Sequence, residues 1–142
     1  MTNRKRILFI CLGNACRSQM AEAFARTYGS DVLIAASAGL TPASDLPTDT
    51  VSAMAEKNID LSGQFPKSFR QLRRAKFDLV INMSGLSIPW ENDVPVEEWP
   101  VPDPVFMEYE EHCRVRDQIE SLVMNLILGL RRQQEQALPK LS

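Results

Sequence analysis

Apolar residues fall into three short dense runs and one long striped segment. Ile7-Leu8-Phe9-Ile10, Val32-Leu33-Ile34-Ala35-Ala36 and Leu79-Val80-Ile81 lack the alternation of a half-exposed strand. Runs of this length bounded by turn residues predict parallel strands covered on both faces, over about 6–11, 32–36 and 77–83. Val96 to Val101 is a weaker run. Pro95, Pro100 and Pro102 place it at a sheet edge, where missing N–H donors are tolerated. Between the runs the period changes to that of a helix. Met20, Phe24 and Tyr28 recur every four residues, predicting a helix over about 17–28 with Gly29 as its stop. Thr48 or Asp49 can cap a second helix running to about Asn58, with Val51, Met54 and Ala55 inward. Lys67 to Lys76 reads as a short basic helix with Phe69 and Leu72 inward and Arg70, Arg73 and Arg74 solvated.

The last segment, from about Glu108 to Ala137, carries Ile119, Leu122, Val123, Leu126, Ile127 and Leu130 at three-four spacing, a broad apolar stripe. Gly129 within it marks a kink or a close packing point. The final five or so residues are expected to fray. Strands alternating with helices imply right-handed β-α-β units and a parallel sheet, whose ligands bind at the carboxyl ends of strands.

Composition narrows the class. The 142 residues suit one domain over 1–142, and 44% apolar with 24% charged residues is ordinary for a globular protein. A net charge of −2 argues against non-specific binding of nucleic acid or anionic membrane. Asn3-Arg4-Lys5-Arg6 before an apolar run is like the start of a signal peptide, but Ile7 to Leu12 is too short for its apolar core. No run approaches membrane-spanning length, so a cytoplasmic protein is expected. The three cysteines fit no zinc spacing and no secreted disulfide framework.

The chemistry concentrates where the first strand gives way to the first helix, at Cys11-Leu12-Gly13-Asn14-Ala15-Cys16-Arg17-Ser18. A strand-to-helix loop gathers unpaired N–H groups and the positive end of the helix dipole. Gly13 allows a sharp turn, Asn14 tolerates the left-handed conformation of an anion nest, and Arg17 offers a fork suited to two oxyanion oxygens. The same field favours a thiolate at Cys11, to which Ser18 can donate. The loop thus both holds a tetrahedral anion and aims a sulfur at it. The plainer alternative is a glycine-containing turn with two small buried cysteines.

These residues resemble the low-molecular-weight protein tyrosine phosphatases, a family that also contains thioredoxin-coupled arsenate reductases. The resemblance continues through Met20-Ala21-Glu22, Ser37-Ala38-Gly39, Phe77-Asp78-Leu79-Val80-Ile81 and Asp103-Pro104, in the family's order. It implies an α/β fold: a three-layer flavodoxin-like sandwich whose four-stranded parallel sheet, ordered 2-1-3-4, has helices on both faces. It implies Cys11, Arg17 and Asp103 as catalytic residues, and Leu12, Gly13, Asn14, Ala15, Cys16, Arg17 and Ser18 as the phosphate-binding loop. Asn14, Ser18 and Ser37 would support that loop, Ser37 by bonding Asn14. From the residues alone Ser37 is a turn hydroxyl, and Asp103, between Pro102 and Pro104, is equally a turn aspartate or a positioned general acid.

The implied reaction is hydrolysis of an aryl phosphate, on a phosphorylated protein or a small molecule, through a cysteinyl-phosphate, without cofactor or metal. Two further readings stand beside it: arsenate reduction with an external thiol, and a non-catalytic oxyanion or phosphopeptide-binding module. Phosphotyrosine-specific members sandwich the substrate between rings. Leu40 to Pro47 has no aromatic, leaving Phe106, with Tyr109, to wall the pocket. Ser37-Ala38-Gly39-Leu40-Thr41-Pro42 and Glu56 to Ser62 read closer to the reductase branch. That branch uses further cysteines in the segment Met83 to Pro89, which here has none. Cys16 is either a redox partner of Cys11 or a small buried filler; His112 reads as structural, Cys113 as inert and Trp90 as packing.

Overall fold

The computed structural model describes residues 3–90 and 93–137. Its centre is a parallel sheet of β1 (Lys5–Cys11), β2 (Leu33–Gly39), β3 (Leu79–Asn82) and β4 (Val96–Glu98), in the order β2-β1-β3-β4. β1 is apolar throughout because it is central: Ile7, Leu8, Phe9 and Ile10 are all fully buried. Alternate side chains of β1 leave on opposite faces. Ile7, Phe9 and Cys11 join a core with Met20 and Phe24 of α1 (Arg17–Gly29), Met54 of α2 (Thr48–Ala55) and Ile119 of α3 (Tyr109–Ala137). Leu8 and Ile10 face a smaller cluster with Val80, Ala38 and Phe69. The three α-helices thus join the first core, and among the described residues the second face is covered by a 3₁₀ turn (Phe69–Gln71) and irregular chain that includes Trp90, tilted against Phe77.

The stripe on α3 falls where its period placed it. Val115, Ile119, Val123, Ile127 and Leu130 are buried, each worth about 1.5–3 kcal/mol relative to exposure. Close packing of α1 on α3 depends on Gly29, where an added Cβ would lie 2.6 Å from Ile127 Cγ1. Gly129 has nothing within 4 Å of such a Cβ, so it is not the close contact its place in the stripe suggests.

Several boundaries differ from expectation. β2 runs on through Ser37 to Gly39, since the pairing with β1 continues to Cys11 opposite Gly39. β3 and β4 are shorter, β4 pairing with β3 alone at the edge. The second helix ends its ladder at Ala55 and closes through Asn58 in the left-handed conformation (φ 60°). It starts after Pro47 with no side-chain cap, and its inner residues are Thr50, Ala53 and Met54 rather than Val51 and Ala55. The expected basic helix over 67–76 is a single 3₁₀ turn capped by Ser68. Only Phe69 is buried there, too little packing to hold a short helix crowded with like charges. Arg70, Arg73 and Arg74 are exposed, as expected. The fraying expected beyond residue 137 lies outside the described residues.

Candidate active site

Cys11 ends β1 and Arg17 opens α1, so the intervening loop spans the carboxyl edge of the sheet. Its carbonyls are taken by the chain after β2. Leu40 N–H donates to Cys11 O (3.1 Å), Thr41 N–H to Leu12 O (2.8 Å) and Ala43 N–H to Gly13 O (2.9 Å). The first turn of α1 contributes amides with no partner inside the helix. Gly39 abuts the loop so tightly that a Cβ there would lie 2.8 Å from Asn14 N. The left-handed residue is Asn14 (φ 49°), as expected. Gly13 has an ordinary φ and room for a Cβ, so the turn does not rest on it.

Asn14 is fully buried, and its contacts fix which atom is which. The backbone N–H of Lys67 can only donate, and it lies 2.9 Å from Asn14 Oδ1, beside Gln19 Nε2 at 3.0 Å. Asn14 Nδ2 therefore faces Ser18 Oγ at 2.8 Å and donates to it. Ser18 Oγ also lies 2.9 Å from Cys11 Sγ; either can donate while the sulfur is a thiol, and only Ser18 can when it is a thiolate. The order Lys67 and Gln19 to Asn14, then Asn14 to Ser18, holds the Ser18 hydroxyl against the Cys11 sulfur.

Ser37 does not reach Asn14. Its hydroxyl donates to Glu22 Oε1 of α1 at 2.7 Å. Glu22 is 4% exposed, with Arg26 bonded to it and Lys67 Nζ 3.9 Å away. Glu22 thereby ties α1 to β2 and to the segment that holds Asn14.

Arg17 is 5% exposed. Its Nη1 donates to Met83 O (2.6 Å) and Val101 O (3.2 Å), carbonyls just past β3 and β4. Nη2 lies 3.4 Å from Asp103 Oδ2. Nε is buried with no partner among the described residues. Asp103 also accepts from Val105 N–H (3.2 Å), so it closes its own turn and faces the guanidinium at once.

These groups surround a cavity of about 220 Å³ lined by Cys11, Leu12, Gly13, Ala15, Cys16, Arg17, Thr41, Ala43, Asp103 and Val105. Phe106 is not among them. It is 98% exposed, at the corner of a turn closed by Met107 N–H donating to Pro104 O (3.0 Å), so Val105 forms that wall instead. Tyr109 bonds Glu56 and does not line the cavity. Among the described residues no group of three or more His, Cys, Asp or Glu side chains could hold a metal ion.

Behind the loop, Thr50 Oγ1 lies 3.3 Å from Cys16 Sγ and 3.0 Å from His112 Nε2, all three groups buried. Burial pushes the Cys16 thiol up to about 11 and lowers His112 below its ordinary value. Cys113 lies half-buried beside Glu56, away from the cavity. Sequence reasoning missed Gln19, Glu22, Thr50 and Lys67 as supports of the loop. The only hint was the polar Gln19-Glu22 pair on the buried face of α1.

A family model described as low molecular weight phosphotyrosine protein phosphatase matches residues 6–136. A glutaredoxin arsenate reductase from Synechocystis sp. is 35% identical over 127 residues, covering 87% of this chain and 96% of that protein. An arsenate reductase from Bacillus cereus is 36% identical over 123 residues, covering 84% and 91%. Among solved structures, one described as an arsenate reductase in the phosphate binding state superposes with a TM-score of 0.81 at 34% identity, covering 89% and 98%. The YwlE arginine phosphatase from Geobacillus stearothermophilus reaches 0.84 over 96% and 99%, but at 23% identity, a likeness of fold alone.

Proposed function

Given that the chain belongs to the low molecular weight phosphotyrosine protein phosphatase family, we propose that it is an arsenate reductase drawing electrons from an external thiol. The observation that carries this reading is the wall of the cavity. Leu12, Thr41, Ala43 and Val105 offer no ring to clamp an aryl group, while Arg17 Nε and the loop amides are placed for a bare tetrahedral oxyanion. Curated relatives at 35–36% identity carry the name arsenate reductase, which agrees.

Cys11 thiolate attacks arsenic, an S–As bond forms and water leaves. Arg17 and the loop N–H groups hold the remaining oxygens. A thiol then attacks Cys11 Sγ, the S–As bond breaks, and its electron pair stays on arsenic as arsenite departs. The segment 83–89 has no cysteine, so the final reducing equivalents come from outside the chain.

Phosphatase action is a second reading, favoured by Asp103 at the cavity edge, where its carboxyl can protonate a leaving oxygen. One experiment separates them: arsenite production with arsenate and glutathione, beside hydrolysis of p-nitrophenyl phosphate. The reductase reading expects arsenite formation that Cys11→Ser abolishes and Asp103→Asn slows far less. Ester hydrolysis cut 10²-fold or more by Asp103→Asn, with no arsenite formed, would replace it with the phosphatase.

A further inference from the structure

The basic segment 67–76 has no part in the steps above. We propose that it is a docking surface for an acidic segment of the protein that carries the reducing thiol, and that docking there holds the thiol at the mouth of the cavity. The inference rests on the reductase reading and names the kind of partner that reading requires.

The charge is one-sided and turned outward. Lys67, Arg70, Arg73, Arg74 and Lys76 fall within ten residues, and no acidic residue lies between Asp60 and Asp78. Phe69 and Leu72 turn inward, to the cluster of Leu8, Ile10 and Val80. Consecutive turns order the backbone: Gln71 N–H donates to Ser68 O (3.1 Å), Leu72 N–H to Phe69 O (3.0 Å) and Ala75 N–H to Leu72 O (3.0 Å). Arg70, Arg74 and Lys76 are left exposed on the outer side. Elsewhere Arg26, Lys57, Arg114, Arg116 and Arg131 each pair with an acid of the same chain. Arg70, Arg74 and Lys76 form no ion pair among the described residues. Like charges held this close repel one another, a cost that an acidic partner relieves.

The segment is also fastened to the site. Lys67 O accepts from Gly39 N–H (2.8 Å), Ser68 bridges to Gly39 at the end of β2, and Lys67 N–H holds Asn14 Oδ1 (2.9 Å). Thr41, two residues past Gly39, lines the cavity. At about 3.6 Å per residue and about 4.8 Å between neighbouring strands, the backbone of Arg70 lies within roughly 20 Å of Thr41. One side of an ordinary protein interface covers about 800 Å² and is roughly 30 Å across, so a protein seated on the cations reaches the cavity mouth.

The rest of the chain favours a short acidic segment over a nucleic acid. Every charged residue from Asp78 to Glu111 is acidic, and this stretch includes β4, at the sheet edge opposite β2. A polyanion with one charge per about 1.7 Å would run from the cations onto that acid. A few carboxylates grouped on a folded protein would not.

The step that docking serves balances. The partner's thiolate attacks Cys11 Sγ, an S–S bond forms, and the S–As bond breaks. Its electron pair reduces arsenic from the pentavalent to the trivalent state. A second thiol then attacks the partner's sulfur in the mixed disulfide, and Cys11 leaves as the thiolate. Two thiols have become one disulfide, and their protons balance the oxygen lost from arsenate as water.

The test uses the whole chain and two short synthetic peptides as thiol source, one with its cysteine flanked by glutamates and the other by glutamines. The quantity read is the ratio of kcat/KM for arsenite formation with the acidic and the neutral peptide, so that intrinsic thiol reactivity cancels between proteins. Arg70→Gln/Arg74→Gln/Lys76→Gln alters exposed positions only and should fold as wild type. It should lower the ratio about fivefold or more at low salt, and about 0.5 M NaCl should bring wild type down to the same ratio. Arg4→Gln/Lys5→Gln/Arg132→Gln removes the same charge elsewhere and should keep the ratio within about twofold. A second arm, without arsenate, reads fluorescence anisotropy of the labelled acidic peptide with serine for cysteine. A triple variant at 70, 74 and 76 that matches wild type in both arms overturns the docking surface. If arsenate is inert but the acidic peptide binds wild type and not that variant, docking stands and the reductase reading falls. If both peptides drive arsenite formation equally and the serine peptide does not bind, docking falls and the reductase reading stands. A single-stranded oligonucleotide that binds more tightly than the acidic peptide, or low-salt association of wild-type copies that the variant loses, assigns the segment to another occupant and overturns the proposal.

Discussion

Replacing Asn14 by Asp exchanges one NH₂ for an oxygen in a fully buried loop residue. The left-handed backbone at φ 49° is tolerated by Asp as by Asn. Oδ1 keeps its donors, Lys67 N–H at 2.9 Å and Gln19 Nε2 at 3.0 Å. The other oxygen then lies about 2.8 Å from Ser18 Oγ, where two acceptors cannot share a contact without a proton between them. The Ser18 O–H must turn to the new carboxylate, and the Cys11 sulfur 2.9 Å away loses its donor. A hydrogen bond to a charged group contributes about 1.5–3 kcal/mol, so the thiolate's reactivity should fall roughly ten- to a hundredfold. The added negative charge beside the anion loop weakens oxyanion binding further.

The assay is the second-order rate of iodoacetamide alkylation at Cys11, followed by peptide mass spectrometry at pH 7. Ser18→Ala serves as the comparison, removing the donor without adding charge. Both variants should alkylate slowly and remain folded, and Asn14→Asp alone should also lose phosphate affinity. If folded Asn14→Asp alkylates within about twofold of wild type, the Ser18 proton does not point at Cys11. The proton order drawn from Lys67 through Asn14 would then be wrong.

Other substitutions probe the supports and the rim. Gly39→Ala places a Cβ 2.8 Å from Asn14 N, a backbone contact that cannot rotate away. It should cost about 1–3 kcal/mol in urea denaturation and weaken phosphate binding by isothermal calorimetry; unchanged values would mean the loop yields freely. His112 is lowered by burial from its ordinary 6.5, so the unfolded chain takes up the proton first as pH falls. Wild-type stability is therefore full above 6.5 and declines as pH drops toward the folded value, while His112→Gln should be flatter between pH 7 and 5 in urea melts. Equal slopes would show that folding does not lower the histidine. Phe106, 98% exposed, should go to Ala with a stability change within about 0.5 kcal/mol and unaltered turnover of arsenate. A fivefold loss of turnover would place that ring against substrate.

What could be read from sequence was local. Ile7 to Ile10 betray a strand buried on both faces, Met20 and Phe24 betray a helix, and the loop between inherits its place at the sheet edge from its two neighbours. Asn14 in the left-handed region follows from its own loop, whereas Asp103 as a site residue came from the family resemblance, since it meets the arginine across 86 positions of chain. The parts that escaped depend on distant residues. Lys67 and Asn14 are 53 positions apart, and nothing in Gln64-Phe65-Pro66-Lys67 says that its backbone completes an anion loop. Ser37 bonds Glu22 rather than Asn14 because two elements packing together chose among several acceptors. The basic segment 67–76 has helical composition, yet tertiary packing decides short helices, and only Phe69 found a place in the core.

The division between cradle and rim also bears on which chemistry the site performs. The side chains and carbonyls of the loop are held from several sides. Arg17 is held by two carbonyls past the strand ends, Asn14 by three partners, and the loop carbonyls by the chain after β2. The wall beyond it comes from Thr41, Ala43 and Val105, on connections that tolerate change without loss of the fold. Phosphate and arsenate present the same tetrahedron of oxygens to a cradle of this kind. Selection between ester hydrolysis and reduction must then lie in what meets the leaving side: a ring and an acid for an ester, a second sulfur for a reductase. Here the ring points to solvent, while Cys16 sits in the same loop as Cys11, against Thr50 and His112. On the proposed reductase reading the departing group is an arsenic atom leaving a sulfur, and introducing Tyr or Trp at Ala43 should shift the protein toward aryl phosphates without touching the cradle.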